Sequence, residues 1–172
     1  LYKETIFNCM LQVDAWASSY LSKPHKDIGR SGPVCPFVPQ AIKKKTLLMT
    51  YCLCHEHTTS HDIQAAMLQK KAYFHQCVAL ESQNSQYDAL ITVFVHVNGQ
   101  TAQLNKMIEH TQHMVKPLFI KDKLMVGQFF EGCQAEGLHN ASFRPFNAPV
   151  PVLGIRKLMP QDLVFLTDKP EH

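Results

Sequence analysis

The stretch that decides the fold is Ala89-Leu-Ile-Thr-Val-Phe-Val-His-Val97. It is a run of aliphatic, β-branched and aromatic residues, interrupted only near its end by His96 and followed at once by Asn98-Gly99. It reads as the clearest strand in the chain, closed by a turn signal. Upstream, polar residues 81–87 make a turn. Before them lies a helix over roughly 60–77, with N-cap candidates in Thr58-Thr-Ser-His-Asp-Ile-Gln64 and with Ile63, Ala66, Met67, Phe74 and Cys77 facing inward. Thr46-Leu-Leu-Met-Thr-Tyr-Cys-Leu-Cys54 is dense in apolar residues and reads as a buried strand. Residues 24–45 form a Pro/Gly-rich connection, and residues 3–22 place Ile6, Met10, Val13, Ala17 and Tyr20 at helical spacing up to Lys23-Pro24.

Downstream, Thr101 caps a helix whose apolar stripe is Leu104, Ile108, Thr111, Val115 and Leu118 and which ends about Pro117. Leu124-Met-Val-Gly-Gln-Phe-Phe130 is a third strand. The Gly/Pro/Asn-rich residues 131–149 lead to a fourth at 150–158, Pro160-Gln-Asp-Leu-Val-Phe-Leu166 closes the ordered chain, and a charged tail frays after Thr167. Two crossover helices and an antiparallel pairing at the end give an α+β fold: a single mixed or antiparallel four-stranded sheet with helices packed on one face. The 172 residues form one domain, and 24–45 and 127–149 are the long functional-candidate loops.

The bulk numbers exclude several classes. A net charge of +3, with no basic run beyond Lys43-Lys44-Lys45 and no aromatic interleaving, argues against nucleic acid. The apolar runs fall far short of the ~20 residues of a membrane span. No signal-peptide pattern opens the chain, which begins at Leu1 rather than Met. Six scattered cysteines in a chain with a full core read as reduced thiols, and hence as a cytoplasmic setting. Cys52 and Cys54 point the same way from one strand and are too close along it to pair comfortably with each other.

Three constellations could carry chemistry. Cys52-Leu-Cys-His-Glu-His57 with His61 offers zinc-like spacings, but strand alternation divides the cysteines from the histidines and no second pair completes the site. The bland reading there is solvated loop histidines. His110 and His113 share one flank of a helix beside Glu109, where a solvated face is the plain alternative to acid–base work. The third constellation is the two irregular loops. One offers Arg30 and Cys35; the other offers Gln128, Cys133, His139, Asn140, Arg144 and Arg156. Prolines and glycines fix such loops in uncommon geometry, so the side chains between them are pre-positioned. Arginines, a histidine and an asparagine suit a carboxylate or phosphate, and a thiol beside cations is activated. Alternatively, Cys35 is a small buried peg and the arginines clamp loop carbonyls. The elbow, phosphate-loop, dinucleotide and HExxH motifs are absent.

Gly29-Arg-Ser-Gly-Pro-Val-Cys-Pro-Phe-Val-Pro39, Leu124-Met-Val-Gly-Gln-Phe-Phe-Glu-Gly132 and Gly137-Leu-His-Asn-Ala-Ser-Phe-Arg-Pro-Phe-Asn-Ala-Pro-Val-Pro-Val-Leu-Gly-Ile-Arg156 resemble an uncharacterised bacterial domain family. Its motifs are GR-x-GPVCPF and GLxNxxFRPxxxPVP. The resemblance places Arg30, Cys35, Gly127, His139, Asn140, Phe143, Arg144, Pro145, Pro149 and Arg156 at motif positions and supplies no activity. Its members' occurrence beside secondary-metabolite genes implies small-molecule chemistry. Here Gln128-Phe129-Phe130 stands where Glu-Phe-His is common in the family, and Ala141 where a proline is, changes that a binding role tolerates better than a catalytic one.

The expectation is therefore a pocket between the two loops that takes an acidic metabolite. Arg30, Gln128, Asn140, Arg144 and Arg156 bind it, and in the catalytic version His139 is the acid–base and Cys35 a nucleophile. Arg30 and Arg144 converging on one concavity would mark such a site; if they point apart into solvent, or are spent on loop carbonyls, the site fails. The alternatives are a non-catalytic regulatory or protein-interaction module and, below that, haem or metal binding through Cys35 or a histidine. No particular cofactor is implied.

Overall fold

A computed structural model describes residues 2–80, 85–97 and 101–166. Helix α1 (Lys3–Trp16) continues into a π-helical turn, Ala17–Leu21, and a short helix α2 (Val38–Lys43) follows. Then come β1 (Leu47–Cys54), α3 (Ser60–Leu80), β2 (Ala89–His96), α4 (Thr101–Lys121), β3 (Leu124–Phe129), β4 (Val152–Lys157) and a 3-10 turn, Pro160–Phe165. The expected turn at 81–84, the Asn98-Gly99 stop and the tail beyond Thr167 lie outside the described residues.

The sheet order is β1-β2-β4-β3. β1 and β2 are parallel, and β4 is antiparallel to both β2 and β3. The chain thus lays down β1, β2 and β3 in one direction, with α3 and α4 as crossovers, and inserts β4 between the last two. This is the mixed form of the expected α+β sheet.

The layering differs from the expectation of helices on one face. Alternate residues of each strand point to opposite sides. Leu90 and Phe94 of β2, Leu124 and Val126 of β3, and Leu153 and Ile155 of β4 pack with α3 and α4. Ile91, Val93, Val95 and Val152 pack on the other side with Val13 and Trp16 of α1, the π-helical turn and Val38 of α2. Both faces are covered because β2 is apolar at both parities, buried without a break from Leu90 to Val95. Such a strand leaves neither face for water.

Smaller differences have equally plain causes. α4 runs through Pro117 to Lys121 instead of stopping there. A mid-helix proline costs about 3 kcal/mol, and the fully buried Phe119 in the next turn, like Val115 before it, holds the helix to the core. α3 begins as its sequence promised. The Thr59 backbone N–H donates to Asp62 Oδ2 at 2.8 Å and the Asp62 N–H donates back to Thr59 Oγ1 at 3.3 Å, a reciprocal cap. Residues 24–45 are irregular except for α2 and an antiparallel bridge between Pro24 and Pro33. No described helix is long and apolar enough to cross a membrane.

Candidate functional site

The two long loops meet over the α1 face of the sheet. Gly29 (φ +77°) lies so close to the second loop that a Cβ there would stand 2.6 Å from the His139 carbonyl oxygen. Only glycine combines that approach with that backbone angle. Asn140 Nδ2 donates to the Asp27 carbonyl at 2.8 Å. The His25 and Phe143 rings stack with centroids 4.6 Å apart. Two further bonds tie the second loop to the end of α1: Trp16 Nε1 to the Asn147 carbonyl at 2.9 Å and the Tyr20 hydroxyl to the Pro145 carbonyl at 3.2 Å.

Beneath the joined loops is a cavity of about 670 Å³. Its floor is the sheet, where Gly127 and Gly154 are register partners on adjacent strands. Neither glycine has positive φ; what their missing side chains provide is room, and the Phe129 ring edge lies 3.5 and 3.7 Å from where their Cβ atoms would be. Trp16, Phe37, Val38 and Cys35 wall one side; Leu138, His139 and Phe146 wall the other. Trp16 meets Phe129 edge-on at 5.2 Å. The cavity also reaches past the free edge of β3 to Gln112, His113 and Lys116 of α4.

The three arginines part company. Arg30 lines the cavity, and its guanidinium donates to the carbonyls of Ser31, Pro33 and Val34 in its own loop. Arg156 also lines it, held bidentately by Asp162 at 2.6 Å on each nitrogen and stacked 4.0 Å over the Phe37 ring. The Asp162 side chain is only 2% exposed, so this pair is matched inside the protein and pins the 3-10 turn to the cavity's end. Arg144 is turned to the Ala141 and Phe143 carbonyls and to Glu136, 3.7 Å away, and is not among the cavity's walls.

Both Arg30 and Arg144 are thus engaged with loop carbonyls and do not converge on one concavity, so the two-arginine site expected from the sequence fails. Asn140 is likewise a stitch between loops, since Ser142 N–H donates to its Oδ1 while its Nδ2 holds Asp27. Gln128 is among the cavity's lining residues at the β3 edge, but its side-chain amide is turned to the α4 side, its Nε2 3.5 Å from Glu109 Oε1 and 3.9 Å from Cys133 Sγ. Cys133 is buried in the α4-side core, where burial pushes its thiol up. Cys35 is half-buried, its N–H held by the Leu21 carbonyl at 2.8 Å, and it faces the cavity together with the exposed His139.

The other two constellations do not assemble. His57 is 91% exposed and paired with Glu56 at 3.2 Å, and among the described residues no three histidine, cysteine or acidic side chains stand together as a metal site. His113 reaches the cavity's far end, and its helical neighbour His110 does not.

These loops and their motif residues fall within a family profile, "Domain of unknown function (DUF6875)", that matches residues 10–172. The chain belongs to this family. The residues of the DUF6875 match include every wall of the cavity. No curated protein and no solved structure shows significant similarity to the chain.

Sequence reasoning found the loops but missed the aromatic shell of Trp16, Phe37, Phe129 and Phe146 and the neutralising Asp162. The glycine floor becomes legible only when β3 is set beside β4, because Gly127 and Gly154 are 27 residues apart in the chain and opposite in the sheet.

Proposed function

We propose that this DUF6875 domain binds a small, mainly apolar molecule bearing one acidic group in the cavity between its two loops. The observation that carries the reading is the cavity itself. Its 670 Å³ falls in the ~300–1,000 Å³ range of small-molecule sites, with apolar walls and a few fixed polar groups. The two-arginine grip expected from sequence gives way to a single anchor. Arg156 and Arg144 each have a carboxylate partner, and Arg30 has none among the described residues. Its three bonds to loop carbonyls leave part of the five-donor fork for a ligand.

The test uses two fluorophores that differ by one sulfonate, 8-anilinonaphthalene-1-sulfonate and N-phenyl-1-naphthylamine. Trp16, the sole tryptophan, lines the cavity and reports occupancy by energy transfer. Both probes bind the wild type, Gly154→Val weakens both by filling the floor, Arg30→Met removes the preference for the sulfonate, and Arg144→Ala changes neither. Wild-type affinity for both probes in Gly154→Val refutes the site.

Catalysis in the same cavity is the second reading, favoured by Cys35 and His139 lining it from facing loops. If His139 serves Cys35 as a base, His139→Ala shifts the pH profile of Cys35 alkylation. An unchanged profile leaves Cys35 as a wall.

A further inference from the structure

The sheet has two edges, and the fold treats them differently. β3, the edge beside the cavity, is partly covered. The Gln112 side chain donates to the Val126 carbonyl at 3.0 Å, and the Phe146 carbonyl of the second loop takes the Phe130 N–H at 3.2 Å. β1, the other edge, is open. The Thr46 carbonyl accepts from the Ala89 N–H and the Cys54 carbonyl from the Val97 N–H. Even-numbered residues of this parallel pair therefore bond to β2, and odd-numbered ones turn their backbone outward. The N–H and C=O groups of Leu47, Met49, Tyr51 and Leu53 line the rim. Their one partner among the described residues is the Cys52 sulfur, 3.9 Å from the Leu53 carbonyl.

β1 is also poorly covered by its own fold. Of its residues only Cys54 is fully buried and Tyr51 is 47% exposed, whereas β2 beside it is buried from Leu90 to Val95. Its sequence, Leu47-Leu-Met-Thr-Tyr-Cys-Leu-Cys54, has no charge and no proline, and its register with β2 runs without a bulge. Edge strands are ordinarily blunted by one of those three devices.

We propose that β1 is a dimer interface, at which a second copy of this chain adds its own β1 antiparallel about a two-fold axis at Thr50 and the two sheets become one. In that register Leu47 stands opposite Leu53 of the second copy, Met49 opposite Tyr51, and Thr50 opposite itself. Every odd-numbered residue of the strand then falls at a hydrogen-bonded rung, so the whole row of free groups is used. Side chains match as well: Met49 meets Tyr51 and Leu48 meets Cys52, with no charge set against an apolar neighbour. Charge fixes the direction. Lys43–Lys45 precede the strand, and Glu56, its side chain 72% exposed, follows it. Antiparallel pairing brings those lysines to Glu56 of the second copy, whereas parallel pairing sets lysines against lysines. A two-fold interface of this kind is closed, and with the β3 edge covered the assembly stops at two copies.

The experiment measures mass in solution, by size-exclusion chromatography with light scattering on the reduced protein. The wild type runs as a dimer. Tyr51→Lys, at a position exposed enough to keep the fold, puts an ammonium on the shared rim and gives a monomer. Cross-linking then checks the register in a Cys52→Ser background. Thr50→Cys stands at a rung with Cα atoms about 4.5 Å apart, within disulfide reach, and mild oxidation links the two copies. Leu48→Cys, about 13 Å from its counterpart, does not link. Far-UV circular dichroism checks each fold. A monomeric wild type, a dimer that survives Tyr51→Lys, or a Leu48→Cys link that forms as readily as the Thr50→Cys link overturns the assignment.

Discussion

Gly29→Ala is the sharpest probe of how the two loops are joined. Alanine at φ +77° carries a left-handed cost of about 1–2 kcal/mol. Its Cβ would also stand 2.6 Å from a backbone oxygen and 2.9 Å from the carbonyl carbon of His139. Backbone cannot rotate away as a side-chain tip does, so the loops must separate. Separation forfeits the Asn140–Asp27 hydrogen bond, about 1 kcal/mol, and much of the His25–Phe143 stack, about 0.5–1.5 kcal/mol. Together these cost about 2.5–4.5 kcal/mol. Gly32 supplies the control: its φ is +90°, yet a Cβ there meets only the Arg30 side chain at 3.5 Å. Gly32→Ala should cost the left-handed strain alone. At about 2–4 °C per kcal/mol for a chain of this size, differential scanning fluorimetry should show a fall of roughly 5–18 °C for Gly29→Ala. For Gly32→Ala the fall should be roughly 2–8 °C. Equal falls for the two variants would refute the claim that loop contact, rather than backbone angle, demands glycine at position 29.

Other outcomes follow from single contacts. Arg156→Met leaves the Asp162 carboxylate buried without its partner and should cost about 3–5 kcal/mol in urea unfolding; adding Asp162→Asn should recover part of that loss, and no recovery would mean the Phe37 stack was the larger contribution. The Lys71 ammonium, 2.6 Å from Asp122, holds that exposed carboxyl below the usual carboxylate range. A depressed folded value favours the folded state above the unfolded pKa, about 3.9, and the effect fades as pH falls through the folded value. Lys71→Met should therefore raise the Asp122 value in carboxyl-carbon NMR titration and flatten the fall of Tm below about pH 4; an unmoved Asp122 titration would show the bond is absent in solution. Thr59→Ala removes the hydroxyl that receives the Asp62 N–H and should lower stability by about 1 kcal/mol, measured by the urea midpoint.

Much of the architecture is legible in the sequence. Apolar runs at 46–54, 89–97 and 124–130 marked three strands within a residue or two, and the spacing between them required crossover helices. The layering was not read, although its signal was present: β2 is apolar at both parities, which calls for cover on both faces. α4 outran its proline because local propensity is weaker than a buried phenylalanine one turn later. The loops stand out in the sequence by their glycines and prolines, since those residues report backbone constraint directly. Which arginine faces a ligand was not legible, because Arg30, Arg144 and Arg156 carry the same charge in the sequence. Their different roles depend on Asp162, Glu136 and the loop carbonyls that the fold brings to each.

The sequence by itself determined the family, the α+β class, the strand positions and the two constrained loops. Those are local properties, written in periodicity and in residues that restrict φ. Only the tertiary structure decided that Gly127 meets Gly154 to open a floor and that Gly29 must yield to His139. Each of these joins residues tens of positions apart, and their pairing is set by strand register and loop packing rather than by any pattern along the chain.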